Sequence, residues 1–310
     1  MIVIAGPTAA GKSEIAALLA ELFNGEIVSV DSMQVYRGLN IGTAKPSACD
    51  RARVPHHLID IIDLNEGFDA AMYSRLARAA VEDIQSRGRE PILCGGTGLY
   101  FKAFEQGLGD SPPSSPRLRA ELEAAPLPEL LRELAERDPK AHEKIDRKNP
   151  RRVIRAIEVI RLTGKPFSEQ RANWSAQQSM DSGSPHAFSP ATSFGLLRSS
   201  SDLHHRIESR VDEMFRNGLV AETAKLIEAG LAQNKIAMQA LGYRQVIEHL
   251  DGKRSLDETV ELVKIRTRQF AKRQMTWFRG QMRLNWVQIK PEEPPKAIAD
   301  RIIEFMAAAR

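Results

Sequence analysis

The chain has 310 residues, 42% of them hydrophobic and 27% charged, with a formal net charge of +4. This length supports one large domain or two smaller ones, and the composition provides a core that needs no staples. The small charge excess identifies no partner, so any inference must rest on where the basic residues cluster. The two cysteines, Cys49 and Cys94, show no metal-binding spacing and fit a reducing cytoplasm. No apolar run approaches the roughly 20 residues needed to cross a membrane. Met1 to Ala5 is too short for a signal peptide and lacks its basic start. A soluble cytoplasmic protein with no membrane association is expected.

Met1 to Ala5 reads as a buried strand, and the spacing of Ile15, Leu18, Leu19 and Leu22 predicts a helix over Lys12 to Leu22. Glu26 to Val30 is a second strand, ending at Asp31, and His57 to Ile62 a third. Asp69 caps a helix that runs to Arg87 and stops at Gly88. Ile92 to Cys94 is another buried strand, leading into Gly95-Gly96-Thr97. Strands alternating with helices imply an α/β fold with a parallel, doubly wound sheet, whose ligands bind beyond the carboxyl ends of the strands.

The composition then shifts. Asp110 to Pro116 is a linker-like break. Arg117 to Arg171 is helical throughout, with breaks at Pro126, Asp138-Pro139 and Asn149-Pro150, and the Ser-, Pro- and Gln-rich stretch from Trp174 to Ser193 reads as a loop. Phe194 to Arg198 returns to strand, and the rest is helical apart from a strand at Leu284 to Ile289. The arrangement is a core over residues 1–112 and 194–310, interrupted by an all-helical insertion over 113–193.

Gly6-Pro7-Thr8-Ala9-Ala10-Gly11-Lys12-Ser13 matches G-x-x-x-x-G-K-[ST] between a strand and a helix. In this P-loop pattern backbone N–H groups curl around an anion, the helix N-terminus adds partial positive charge, Lys12 reaches a phosphate and Ser13 can ligate Mg²⁺. The loop reads phosphates and carries no information about a base.

Asp31, at a strand end near the loop, could accept a proton, sit in the outer shell of Mg²⁺, or cap the turn that follows it. Thr97 could donate to a phosphate or a base edge, or cap the next helix. Thr8 faces either ligand or solvent. His56-His57 and His204-His205 are read as structural, because adjacent histidines seldom chelate one ion. Lys264 to Arg283 is basic without an acidic residue; Lys264, Arg268 and Lys272 share one helix face, and Phe270 and Trp277 an aromatic core face. With Arg147-Lys148 and Arg151-Arg152-Val153-Ile154-Arg155 this makes two clusters able to neutralise nucleic-acid phosphates.

The segments GPTAAGKS (6–13), VDSMQVYRGLNIGTAKP (30–46), PHHLID (55–60), GGTGLYFKA (95–103), NPRRVIRAIEV (149–159), ALGYRQ (240–245) and RQFAKRQMTWFR (268–279) together resemble the bacterial tRNA dimethylallyltransferase family. The resemblance implies a P-loop NTPase-like core with a helical insertion and a helical C-terminal part. It also implies transfer of a dimethylallyl group from dimethylallyl diphosphate, with Mg²⁺, to N6 of the adenosine immediately 3′ of the anticodon. Asp31 then becomes the base, the loop residues and Lys12 cradle the diphosphate, Ser13 holds the metal, and Thr8 lies by the diphosphate. Arg206 is the diphosphate arginine, with Arg210 its competitor. The tRNA anticodon stem-loop would meet Asp31, Ser32, Met33 and Gln34, Thr97, Arg119, Arg151 to Arg155, Gln239, Gly242, Tyr243 and Arg244, and Lys272, Arg273 and Arg279, on a monomer. Two alternatives stand beside it: a P-loop kinase for small molecules or nucleotides, and a non-catalytic RNA-binding protein.

Overall fold

The computed structural model describes residues 1–170, 172 and 186–309, so most of the Ser-rich stretch expected to be a loop (174–185) lies outside the described residues. Six strands, β1 (Ile2–Ala5), β2 (Gly25–Val30), β3 (His56–His57), β4 (Glu90–Gly95), β5 (Ser193–Leu197) and β6 (Asn285–Gln288), form one sheet in the order β3-β2-β4-β1-β5-β6. All its pairings are parallel. The helices are α1 (Lys12–Leu22), α2 (Ala48–Arg53), α3 (Ala70–Ser86), α4 (Gly98–Gln106), α5 (Pro116–Ala124), α6 (Leu127–Arg137), α7 (Pro139–Lys144), α8 (Pro150–Thr163), α9 (Phe167–Gln170), α10 (Ser200–Arg216), α11 (Leu219–Glu228), α12 (Tyr243–Leu250), α13 (Leu256–Gln281) and α14 (Pro295–Ala308).

Alternation along the strands supplies two cores. Val3, Val28, Val30 and Leu93 face Tyr73, Ala77, Phe101, Phe104 and Phe278 on one side of the sheet. Ile2, Ile4, Ile27 and Ile92 face Ile15, Leu19, Ile298 and Ile302 on the other. Each large apolar side chain buried this way contributes about 1.5–3 kcal/mol, so the continuous β-branched runs are what a doubly covered sheet requires. The carboxyl ends of β1, β2, β4 and β5 consequently share one edge.

The expected third strand stops early. Leu58 and Asp60 take positive φ angles of 63° and 55°, outside the extended region, so the strand is reduced to His56–His57. The Asp69 cap is present: its carboxylate accepts the Met72 N–H at 2.8 Å.

The chain divides into two compact units, Met1–Glu105 with Ala176–Arg310, and Gln106–Ser175. The second unit thus starts before the expected residue 113 and ends before 193. The reason for the later boundary is packing: Phe188 stacks on Phe104, and Thr192 Oγ1 donates to Met1 O at 2.8 Å, so residues 186–193 belong to the first unit. Within the second unit, Leu122, Leu130, Leu134, Val153, Ile157 and Ile160 form the core. Its sequence breaks are helix starts, with Pro126 as the N-cap residue of α6, Pro139 and Pro150 as the first residues of α7 and α8, and Asp138 and Asn149 as side-chain caps.

Candidate active site at the carboxyl edge of the sheet

The loop between β1 and α1 holds its shape against strain. The strain falls on Ala9, a non-glycine residue at φ 63°, and its methyl is buried among Ile207, Val211, Val263 and Ala271, so α10 and α13 hold the loop from outside. The N–H groups at the start of α1 have no intrahelical acceptors. Ser13 is exposed there.

Three cations close on this loop, and each donates to a neutral oxygen. Lys12 Nζ reaches Pro7 O at 2.7 Å, Arg206 Nε reaches Ala9 O at 3.0 Å, and Arg210 reaches Thr8 Oγ1 at 3.4 Å. Burial lowers Lys12 to about 8, with Arg210 pushing the same way and Cys94 and Asp31 opposing. Burial also lowers both arginines, and the second cause in each case is a neighbouring arginine. Uncompensated positive charge of this kind is what an incoming anion relieves. Arg206 and Arg210 therefore both reach the loop, one from its backbone side and one through Thr8. A further arginine, not singled out from the sequence, adds to them: Arg198 follows β5, donates to Ala10 O at 3.0 Å and is balanced by Asp202 at 2.8 Å.

Asp31 takes one of its expected roles directly, the turn cap. Its Oδ1 accepts the N–H groups of Met33 at 2.8 Å and Gln34 at 3.2 Å, which is a turn cap. Its other oxygen accepts no hydrogen bond among the described residues and is left for a ligand. Thr97 does not cap α4 with its side chain; its Oγ1 accepts the Ser32 N–H at 3.2 Å and ties the end of β4 to the turn after β2. Gln34 is also committed, accepting from Ser29 at 3.0 Å and donating to Thr43 O at 3.2 Å. Next to Arg210 lies a cavity of about 760 Å³, lined also by Arg37, Lys45, Arg51, Asp60 and Met214. That volume suits a small molecule.

A family model described as IPP transferase matches residues 34–281. The chain belongs to the IPP transferase family. The tRNA dimethylallyltransferase 2 of Geotalea uraniireducens is 44% identical over 99% of this chain and 97% of its own length. The tRNA dimethylallyltransferase of Geobacter sulfurreducens is 45% identical over 93% of this chain and 91% of its own. Among solved structures, the full-length tRNA isopentenylpyrophosphate transferase of Bacillus halodurans superposes with a TM-score of 0.69 at 38% identity, covering 99% of this chain and 96% of that one. A eukaryotic dimethylallyltransferase caught acting on tRNA gives a TM-score of 0.72 at 29% identity, over 93% and 73% of the two chains.

Beyond Asp31 to Gln34 and Thr97, the residues expected to meet RNA fall into three groups. Lys272, Arg273, Arg279, Arg151, Arg152, Gln239 and Arg244 are exposed. Arg119 and Arg155 are half-buried and both bind Glu158, a fully buried carboxylate, at 3.2 and 2.8 Å. The third group is corrected by burial. Val153 and Ile154 face the core of the helical unit, so their side chains are closed to RNA. Gly242 is buried too, its N–H donating to Gln245 at 3.0 Å. Tyr243 is fully buried, its hydroxyl donating to Glu222 at 2.6 Å and accepting the Gly42 N–H at 3.1 Å, so it anchors the 38–46 loop from beneath.

The basic helix is corrected in the same way. Lys264 pairs with Asp212 and Glu261, and Arg268 with Glu208, so the first half of the expected cationic face is spent on α10 and on its own helix. Lys272 has no ion-pair partner among the described residues. Phe270 is exposed, with Arg273 over its ring at 5.9 Å, whereas Trp277 packs inward. Among the described residues no helix is long and apolar enough to cross a membrane.

Proposed function

We infer that this chain is a tRNA dimethylallyltransferase that moves the dimethylallyl group of dimethylallyl diphosphate onto N6 of the adenosine immediately 3′ of the anticodon, releasing diphosphate. The observation that carries this reading is the pairing of three cations that, among the described residues, bond to neutral oxygens with a carboxylate one of whose oxygens accepts no hydrogen bond from those residues. A diphosphate leaving group needs the first, and a weakly nucleophilic amine losing a proton needs the second.

In this reading Lys12, Arg206 and Arg210 hold the diphosphate, Thr8 orients it, and Asp31 takes the N6 proton as the new C–N bond forms and the C–O bond to diphosphate breaks. Ser13 fits Mg²⁺, because the residue is exposed beside the cradle and Mg²⁺ takes few protein ligands, drawing the rest from phosphate oxygens and water. Bound there, Mg²⁺ would neutralise charge developing on the leaving diphosphate. A target adenosine in a single-stranded loop is cheap to extrude from its stack. The exposed cations on α13 and at the start of α8 supply sequence-independent contacts to the anticodon stem-loop. A soluble cytoplasmic monomer fits this role. Family membership over residues 34–281 argues against a kinase.

The test is direct. The protein is incubated with Mg²⁺, labelled dimethylallyl diphosphate and unmodified tRNA whose anticodon is followed by adenosine. Label in the tRNA with release of diphosphate is expected. No label in tRNA, with phosphate transfer from ATP instead, defeats the reading.

A further inference from the structure

Helix α13 turns two faces to two tasks. Lys272, Arg273 and Arg279 are exposed. Gln274 lies between them in sequence and is 8% exposed, on the face that meets the sheet edge. Its Oε1 accepts the Thr8 N–H at 2.8 Å, and its Nε2 donates to Gly96 O at 2.9 Å. The amide orientation is fixed by its partners, since an N–H can only donate and a carbonyl can only accept.

These two bonds join the two halves of the site. Thr8 belongs to the diphosphate loop. Gly96 precedes Thr97, whose Oγ1 holds the Ser32 N–H next to Asp31. One side chain therefore bridges the anion cradle and the segment that carries the base. The docking is built tightly. A Cβ at Gly96 would stand 2.3 Å from Gln274 Nε2, and one at Gly98 would stand 2.1 Å from the Trp277 ring. Gly96 and Gly98 thus serve α13, because no side chain fits beneath Gln274 and Trp277. The Thr8 N–H is also occupied, so it is not one of the donors offered to an anion.

We propose that Gln274 is a positioning residue for prenyl transfer, setting the spacing between the diphosphate loop and the Asp31–Thr97 pair. No other side chain at this position supplies both contacts. Glutamate lacks the donor, methionine lacks both groups, and asparagine is one methylene too short to span Thr8 and Gly96. The proposal concerns kcat rather than binding: each partner can bind its own ligand without the bridge, but the reacting atoms then lose their alignment. Misplacement by about 1 Å costs on the order of a hundredfold in rate.

The experiment compares Gln274→Met and Gln274→Asn with the wild-type full chain. It measures kcat with saturating dimethylallyl diphosphate and tRNA, Kd for inorganic diphosphate, and Tm. A loss of about thirtyfold or more in kcat is expected, with Kd within about threefold and Tm close to wild type. The double variant Gln274→Met/Thr97→Val is expected to be little worse than the poorer single variant, because both cut the same bridge. If one variant does not fold, the other decides. A folded variant with kcat near wild type overturns the proposal. So does parallel loss of kcat and diphosphate affinity, which marks general loosening of the loop, and so does full additivity with Thr97→Val. The proposal rests on the prenyl-transfer reading, and the two fail separately: an inactive wild type removes that reading, whereas an active wild type with active Gln274 variants removes only the bridge.

Discussion

Strand β2 carries a carboxylate near each end, and the two ends handle charge in opposite ways. At the amino end, buried Glu26 draws in Arg87, Arg89 at 2.7 Å and His57 at 2.6 Å. Hydrogen bonds from Arg87 first, against the cost of burial, lower its carboxyl to about 2. At the carboxyl end, Asp31 receives only backbone N–H groups among the described residues, while the cations nearby donate to Pro7 O, Ala9 O and Thr8 Oγ1. A cation paired with a carboxylate has its charge cancelled; a cation held by a carbonyl keeps it. One end of the strand is thereby a structural clasp and the other a receptor for an anion.

Four measurements test that contrast. The largest effect is expected at the open end. Asp31→Asn keeps an oxygen for the turn cap and removes the base, so kcat should fall by about 10²–10⁴-fold while inorganic diphosphate binds within a few-fold of wild type. Single-turnover rates check this, and an unchanged rate removes Asp31 as the base.

At the closed end, Glu26→Gln should lower stability by about 2–3 kcal/mol, the buried-pair range reduced because Arg87 and Arg89 are partly exposed, and leave kcat of the folded enzyme unchanged. The sign of the pH dependence follows from the depressed carboxyl. Its stabilisation is present above the ordinary value of 4.5 and is lost as pH falls from there towards about 2. Denaturant titrations across that window should show a flatter profile for Glu26→Gln; parallel profiles would mean that the clasp does not titrate.

The next effect separates the ends by ligand affinity. Lys12 carries its charge below about 8 and loses it above, so diphosphate binding should weaken as pH rises through that value, by about tenfold per unit at most. Lys12→Met should bind more weakly and lose that inflection. An inflection that survives the substitution assigns it to another group. The smallest effect concerns RNA. Lys272→Ala should weaken tRNA binding a few-fold and reduce the slope of log K against log salt by about one. Lys264→Ala, whose ammonium is already paired, should leave that slope unchanged, and equal slopes for both variants would erase the distinction between free and spent cations.

What was legible in the sequence is what is local. The P-loop, its flanking strand and helix, the Asp69 cap and the proline-marked helix starts each depend on a few consecutive residues, and all stand where periodicity and turn chemistry put them. The carboxyl-edge placement of Asp31 and Thr97 follows from strand order alone. What was not legible depends on partners far along the chain. Lys264 and Arg268 look like Lys272 until α10 supplies Asp212 and Glu208. Tyr243 looks like a tRNA contact until Glu222 and Gly42 enclose its hydroxyl. Gln274 sits in a strongly charged run beside two other glutamines, Gln269 and Gln281, and its type alone does not set it apart. The signal that could have found it is its period: Ala271, Gln274 and Phe278 fall on the buried stripe of the helix, where a polar residue demands named partners.

The sheet order has a consequence for how the protein comes into being. β1 emerges first but pairs with β5, whose first partner contact joins Val3 to Ser193. At ordinary translation speeds the inner strand therefore waits on the order of ten to forty seconds with one side open. An open strand side is a template for wrong partners. The helices of Gln106–Ser175 make contacts near in sequence and can fold during that wait. Gln274 arrives later still, so the anion loop is clamped only once α13 has emerged. A ribosome-bound chain truncated before α13 should thus carry an intact P-loop sequence whose geometry is not yet locked.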